Sequence, residues 1–484
     1  MSKGYPTVSN SVKGHRVGRQ SVSAATQRSE AGIGAMMPWA DRLYYTTYLA
    51  DHDDGSGGDL RYLTDSGQDV LVDRHDSCHA GRMVHKETNQ LLIGEYLIAL
   101  DGTVSKVAAL NKKRVTAWAR HMTAWTTKAY ALTMQGILWE VDLISGVATQ
   151  LADVTAEFGL GSKVHFKAAW TIFKAADIAG GPYANTRLFL ASNSQYAPSD
   201  AAQSGVLLRW DGTTFTSCGR ESFIEVAGNY DPGSGCIAHA VGMDHKSPFF
   251  LTPSPSLGGT YRKFRFPFGS DMQRYFITQE WMRMRPVQTE RLFLNAYGTF
   301  FNVSPWMAHI SADGTENYGN VASDYPRVEA VGKYTDTITD FCVWNGHMWL
   351  GTNNQSEQRG YWPTAGQSQS CLKSVDIDDL SMRKATGRGY LWYKEAVVNG
   401  TASDPMLMRG YDKKTIFIKN DTATACTVTL TLIDYSDSHP YSTTIATVPN
   451  GLATLTLPDG LECDWFRLTP SANVATMSAW VNYR

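Results

Sequence analysis

Three histidines, His79, His121 and His165, stand 42 and 44 residues apart. Each occupies a similar place in a hydrophobic pattern that keeps returning. An imidazole titrates near neutrality, so histidines brought to one place are suited to moving protons. Beside them in the same pattern fall Arg82, Arg120, Lys167, Asn193 and Glu225, followed by Glu280, Trp281, Arg283, Asn295 and Tyr297. A plain apolar core would carry Val, Ile or Ala at such positions. Bases, cations and amides around one axis are what an acidic-sugar pocket needs. The bland alternative is a wet channel lined by polar residues that have no catalytic task.

The chemistry that fits this set is β-elimination on a uronic acid. A cation or amide neutralises the sugar carboxylate, which acidifies the adjacent C–H. A base of near-neutral pKa then removes that proton, and an acid protonates the leaving oxygen. His121 and His165 are read as base and acid, and Arg283 with Asn193 as the groups that neutralise the carboxylate. Tyr130, Tyr196 and Tyr297 all remain open as the tyrosine of the site. His79, Arg82, Arg120, Lys167, Glu280, Trp281 and Asn295 are read as substrate-binding. There is no G-x-S-x-G elbow, H-E-x-x-H, phosphate-binding loop or G-x-G-x-x-G, so serine hydrolysis, zinc peptidase and nucleotide chemistry lack support. A glycosidase would need two opposed carboxylates, for which only Glu225 and Glu280 qualify.

The elements that must position these residues are strands. The segments "CHAGRMVHKETNQLLIGEYLIALDGTVSKV", "RHMTAWTTKAYALTMQGILWEVDLISGVATQL" and "VHFKAAWTIF…TRLFLASNSQY…GVLLRWDGTTFTSC" repeat apolar runs separated by tight turns. Four strands per unit at a period of about 40 residues is the pattern of a propeller blade, whose first strand lines the central axis. Inner strands are expected to begin near Met36, His79, His121, His165, Phe223, Thr278 and Thr337. The expected fold is all-β: a seven-bladed β-propeller over 36–390, preceded by a polar segment 1–35 that could close the ring. Beyond 391 the texture changes to Thr/Val/Leu alternation with tight turns, which predicts a small antiparallel β-sandwich-like region over 391–484.

Composition bounds the rest. The chain has 484 residues and a formal net charge of −2, so no long-range attraction to nucleic acid is expected. The 14 Trp and 23 Tyr suit sugar-face binding. The seven cysteines (78, 218, 236, 342, 371, 426 and 463) include no CxxC pair, and an odd count leaves at least one free. The loop "DHDDGSGGD" (51–59) has the composition of a calcium loop without its ligand spacing. A structural calcium is therefore unsupported, no metal site is assigned, and no cofactor is required. No apolar run is long enough to span a membrane, and a monomer is expected. The N-terminal "MSKGYPTVSNSVKGHRVGRQ" has no apolar core. The protein is read either as cytoplasmic, or as secreted or periplasmic after loss of a leader.

The strings "CHAGRMVHKETNQLLIGEYLIALDGTV", "ARHMT…KAYALTMQGILWEVD", "VHFK…RLFLASNSQY" and "EWMRMR" resemble seven-bladed propeller proteins over residues 36–400. More remotely they resemble the propeller carbohydrate lyases, the ulvan lyases and rhamnose–glucuronate lyases. That resemblance implies a central cleft with two histidines, a tyrosine and an arginine; His121 and His165 would be the histidines, and the tyrosine stays open between Tyr130, Tyr196 and Tyr297. Phe166, after His165, departs by narrowing the pocket. The expectation is thus a lyase acting on a uronic-acid-containing glycan. The alternatives are a glycoside hydrolase on the same scaffold, using Glu280 or a histidine, and a non-catalytic glycan-binding propeller.

Overall fold

Short alternating strands pair with their sequence neighbours along most of the chain in the computed structural model. The structure describes residues 15–16, 31–49, 58–75, 81–162, 164–172, 186–194, 204–228, 239–253, 261–268, 282–288, 291–296, 298–304, 309–310, 316–317, 327–333, 338–352, 371–376, 384–433 and 441–484. The protein is all-β. Among the described residues six four-strand antiparallel runs follow one another along the chain, and three further strands form a seventh run that is completed by a strand from residues 15–16. Their first strands are Ala31–Trp39, Arg82–His85, Val115–Arg120, Val164–Ile172, Ser222–Ala227, Met282–Gln288 and Ile338–Trp344. Sheets one to seven take their numbers from that order.

Each first strand lies against the first strand of the next sheet, and that of sheet seven lies against that of sheet one. Two hydrogen bonds join the last of these pairs. The Thr339 hydroxyl donates to the Ile33 carbonyl at 2.6 Å, and the Met36 N–H donates to Asp340 Oδ2 at 2.8 Å. The fourth strand of sheet seven comes from the other end of the chain: His15–Arg16 pairs with Cys371–Val375. The first hairpin of that sheet turns on Asn345 and Gly346, at φ 50° and 77°. Those positive angles are what a two-residue turn requires to match the twist of its strands.

Between sheets, alternate residues interdigitate. Phe293 and Phe300 of sheet six pack on Ile338 and Phe341 of sheet seven. Ala168 and Phe189 of sheet four pack on Phe223 and Val226 of sheet five. Met36, His165 and Phe223 lie on first strands. His121 does not open one: the apolar run from Val115 forms the strand, which ends at Arg120. His121 and His165 therefore occupy non-equivalent positions, one after a strand and one near the start of another. His79, Thr278 and Thr337 lie outside the described residues.

The C-terminal region is welded to sheet five. Its outer strand, Tyr261–Arg265, pairs in parallel with Met406–Leu407. The sheet then continues through Trp465–Pro470, Thr427–Ile433 and Ser442–Ala446. A second sheet joins Gly387–Val397, Val474–Tyr483, Lys414–Asn420 and Gly451–Thr456. The core between them, with Trp465, Leu468, Ile416 and Val481, runs on without a break into sheets five and six.

Arg265 pins this junction. It is 1% exposed and donates to Asp244 at 2.7 and 2.8 Å and to Asp404 at 2.8 Å. Burial alone would raise the Asp244 carboxyl, but Arg265 holds it well below the usual carboxylate range. Its stabilisation is therefore present above the unfolded carboxylate pKa and is lost as pH falls through the folded one. Arg265→Met should cost about 3–5 kcal/mol at neutral pH, because it strands a buried carboxylate. Denaturant melts of both proteins should show that deficit shrinking below about pH 4, as the stranded carboxyl takes up a proton.

Candidate functional site

Four charged side chains from the first strands of four sheets meet in one buried network. Alternation turns every second residue of a strand to the same side, and the inner strands bring those sides together. Asp340 of sheet seven, with no exposed surface, accepts from Arg285 Nε of sheet six at 2.7 Å and from Arg82 Nε of sheet two at 3.1 Å. Arg285 Nη1 donates onward to Glu225 of sheet five at 2.6 Å. Arg82 also donates to the Phe341 carbonyl at 3.1 Å. Burial pushes the Glu225 carboxyl up, against the pull of Arg285 and Arg283. Burial acts on Asp340 in the same way, but two guanidiniums and the Met36 N–H outweigh it and hold that carboxyl down.

A cavity opens beside this network, walled by Trp118, Trp170 and Met284. Its charged lining consists of Arg82, Lys86, Arg120, Lys167, Arg285 and Glu225. That is five cations against one carboxylate. Asp340 pairs with Arg82 and Arg285, and Glu87 with Arg120. At the rim, Arg120 grips Glu87 at 2.7 and 2.9 Å and lies 6.0 Å over the ring of Trp125, which is 41% exposed. A lining with more cations than carboxylates favours an anionic ligand in a partly desolvated pocket.

The residues singled out in the sequence separate into groups. Arg82, Arg120, Lys167 and Glu225 line the cavity. His165 is half-buried on the strand that carries Lys167, opposite Asn193 in the ladder, and neither lines it. Arg283 and Asn295 face each other on sheet six, both fully buried. His79, Glu280, Trp281, Tyr196 and Tyr297 lie outside the described residues. Arg285 and Asp340 were not singled out. The signal for Arg285 was its place two residues after Arg283, which puts both on one face of a strand. Asp340 carried no comparable signal.

His121 lies away from the cavity and is fully engaged. Its Nδ1 accepts from the Ala124 and Thr123 N–H groups at 2.8 and 3.1 Å, so Nε2 carries the proton and donates to Glu140 at 2.8 Å. The ring stacks on Tyr130, with centroids 4.5 Å apart. Burial pushes the Tyr130 hydroxyl up to about 12. Among the described residues no group of three or more His, Cys, Asp or Glu is placed to hold a metal. Likewise, no helix among them is long and apolar enough to cross a membrane.

No family model matches the chain. No curated protein matches it either. Among solved structures it is similar to the Cps50 (Swd1) β-propeller domain of Myceliophteria thermophila: 11% identity, TM-score 0.36, 66% of this chain and 92% of that one. It is similar to oligogalacturonate lyase of Vibrio parahaemolyticus at 8% identity and TM-score 0.38, covering 72% and 91% of the two chains. An exo-β-1,3-galactanase of Phanerochaete chrysosporium matches at 8% identity and TM-score 0.26, over 74% and 93%.

Burial lowers the His121 pKa more than Glu140 raises it. A folded value below the unfolded one near 6.5 means that stability is full above that pH and falls as pH drops through it. His121→Ala should cost about 2–3 kcal/mol by removing buried hydrogen bonds and packing. It should also flatten the loss of stability between about pH 7 and 5. Thermal melts across that range test both effects.

Proposed function

We propose that this chain is a seven-bladed β-propeller that takes the carboxylate of a uronic-acid-containing glycan into its axial cavity. The observation that carries this reading is the cavity's charge: five cations and one carboxylate against apolar indole and thioether walls. Sugar rings offer C–H faces to indoles, while a carboxylate seeks guanidinium or ammonium donors. Lys167, 4% exposed and reaching the cavity from sheet four, is the cation best placed to meet the ligand without loosening the Asp340 cluster.

A second reading, β-elimination at the same place, is favoured by Glu225. Burial raises its carboxyl towards the range of a working base, and the surrounding cations would neutralise the substrate carboxylate. In this reading Glu225 is the candidate for the proton transfer. His121 drops out, because both of its nitrogens are already engaged.

Calorimetry with a uronate oligosaccharide and its neutral counterpart tests binding. The charged ligand should bind, with affinity falling as salt is raised, and Lys167→Met should weaken it by roughly tenfold or more, the scale of one charge-assisted contact. Equal affinity for both ligands sinks the reading. Elimination should give the ultraviolet absorbance of an unsaturated uronate, abolished in Glu225→Gln. New reducing ends without that absorbance would mean hydrolysis, and binding with neither would mean a binding module.

A further inference from the structure

Arg283 is 1% exposed and stands directly opposite Asn295 in the ladder of sheet six. Paired residues of a ladder project to one face. Here that face also carries Phe293 and Phe300, which pack on Ile338 and Phe341 of sheet seven. Phenyl rings therefore share this buried face with Arg285, Asn295 and Asn302. Arg283 Nη1 is anchored on the Met282 carbonyl at 2.8 Å, which fixes the plane of the guanidinium. Among the described residues its Nε and Nη2 have no hydrogen-bond partner, nor has Asn295 Oδ1, nor Nη2 of Arg285 two residues along the same face.

Nε and Nη2 form one edge of a guanidinium, the pair that clamps an anion side-on. The charge balance points the same way. Arg82 and Arg285 share Asp340, and Arg285 also holds Glu225. Arg283 acts on Glu225 through space but forms no ion pair of its own. Three guanidiniums against two carboxylates leave one positive charge in excess, and the excess lies at the unpartnered edge. Buried charges in proteins are paired. A water molecule would satisfy the N–H groups but not the charge.

We propose that Arg283, beside Asn295, holds a small monovalent anion between sheets six and seven: a halide, or a carboxylate no larger than acetate. The Arg283 edge supplies two hydrogen bonds. Asn295 borders the site, with its Nδ2 donating to the Thr299 carbonyl at 3.5 Å. The site is separate from the cavity, whose lining does not include Arg283, and it does not depend on the glycan reading.

Crystals of the full chain soaked in bromide should show an anomalous peak within hydrogen-bonding distance of Arg283 Nε and Nη2. Ordered water alone at that place overturns the proposal. In solution, replacing chloride by a bulky organic anion at constant ionic strength should lower the melting temperature. Chloride should restore it, and formate should do so too if the fork accepts planar carboxylates. Arg283→Met should melt at the same temperature in every salt. A wild-type protein indifferent to the anion, or a Met variant that still responds, refutes the site. If the variant does not fold, the bromide peak decides.

Discussion

One carboxylate without solvent holds the centre of this molecule. Asp340 receives guanidinium groups from sheets two and six and a backbone N–H from sheet one, while standing on sheet seven itself. A buried ion of this kind costs desolvation, which is repaid only when every partner is in place. The cluster is therefore weak evidence for stability as such, and stronger evidence for specificity. Sheets meeting in any other order would leave Asp340 unpaired in an apolar interior. Met36 and Asp340, 304 residues apart, are held together by this requirement.

The same cluster shapes the cavity beside it. Because Asp340 and Glu225 occupy part of Arg285, that side chain is locked in one orientation and lines the wall as a fixed charge. Arg120 is similarly engaged by Glu87 at the rim. A pocket whose cations are already oriented loses little side-chain freedom when an anion arrives. Preorganisation of this sort would suit recognition of an anion better than a channel that is merely wet.

Much of the strand architecture was legible in the sequence, because burying one face of a strand writes an alternation that survives in a single chain. The placement of His121 was not. A histidine just after an apolar run and one just inside the next look alike in a repeating pattern, and only pairing of the Val115 strand separates them. Cavity residues that fall inside strands, such as Arg82, Lys167 and Glu225, stood out as charges where apolar residues were expected. Asp340 did not stand out, because an Asp within "TDTITDFCVW" reads as a turn residue and its partners are remote in the chain. Arg285 was passed over because Arg283 had already been assigned the charge of that strand.

The two-residue strand His15–Arg16 completes the sheet that contains Cys371–Val375. During synthesis the ribosome releases the N-terminal segment first, long before its partner exists. Sheets one to six can form in order as they emerge, whereas sheet seven must wait for its last strand and for the start of the chain to find it. Until then the edge at Cys371–Val375 stays open, with unsatisfied N–H and C=O groups that invite pairing with another nascent chain. Loss of the short His15–Arg16 strand would leave that edge open in the finished protein as well.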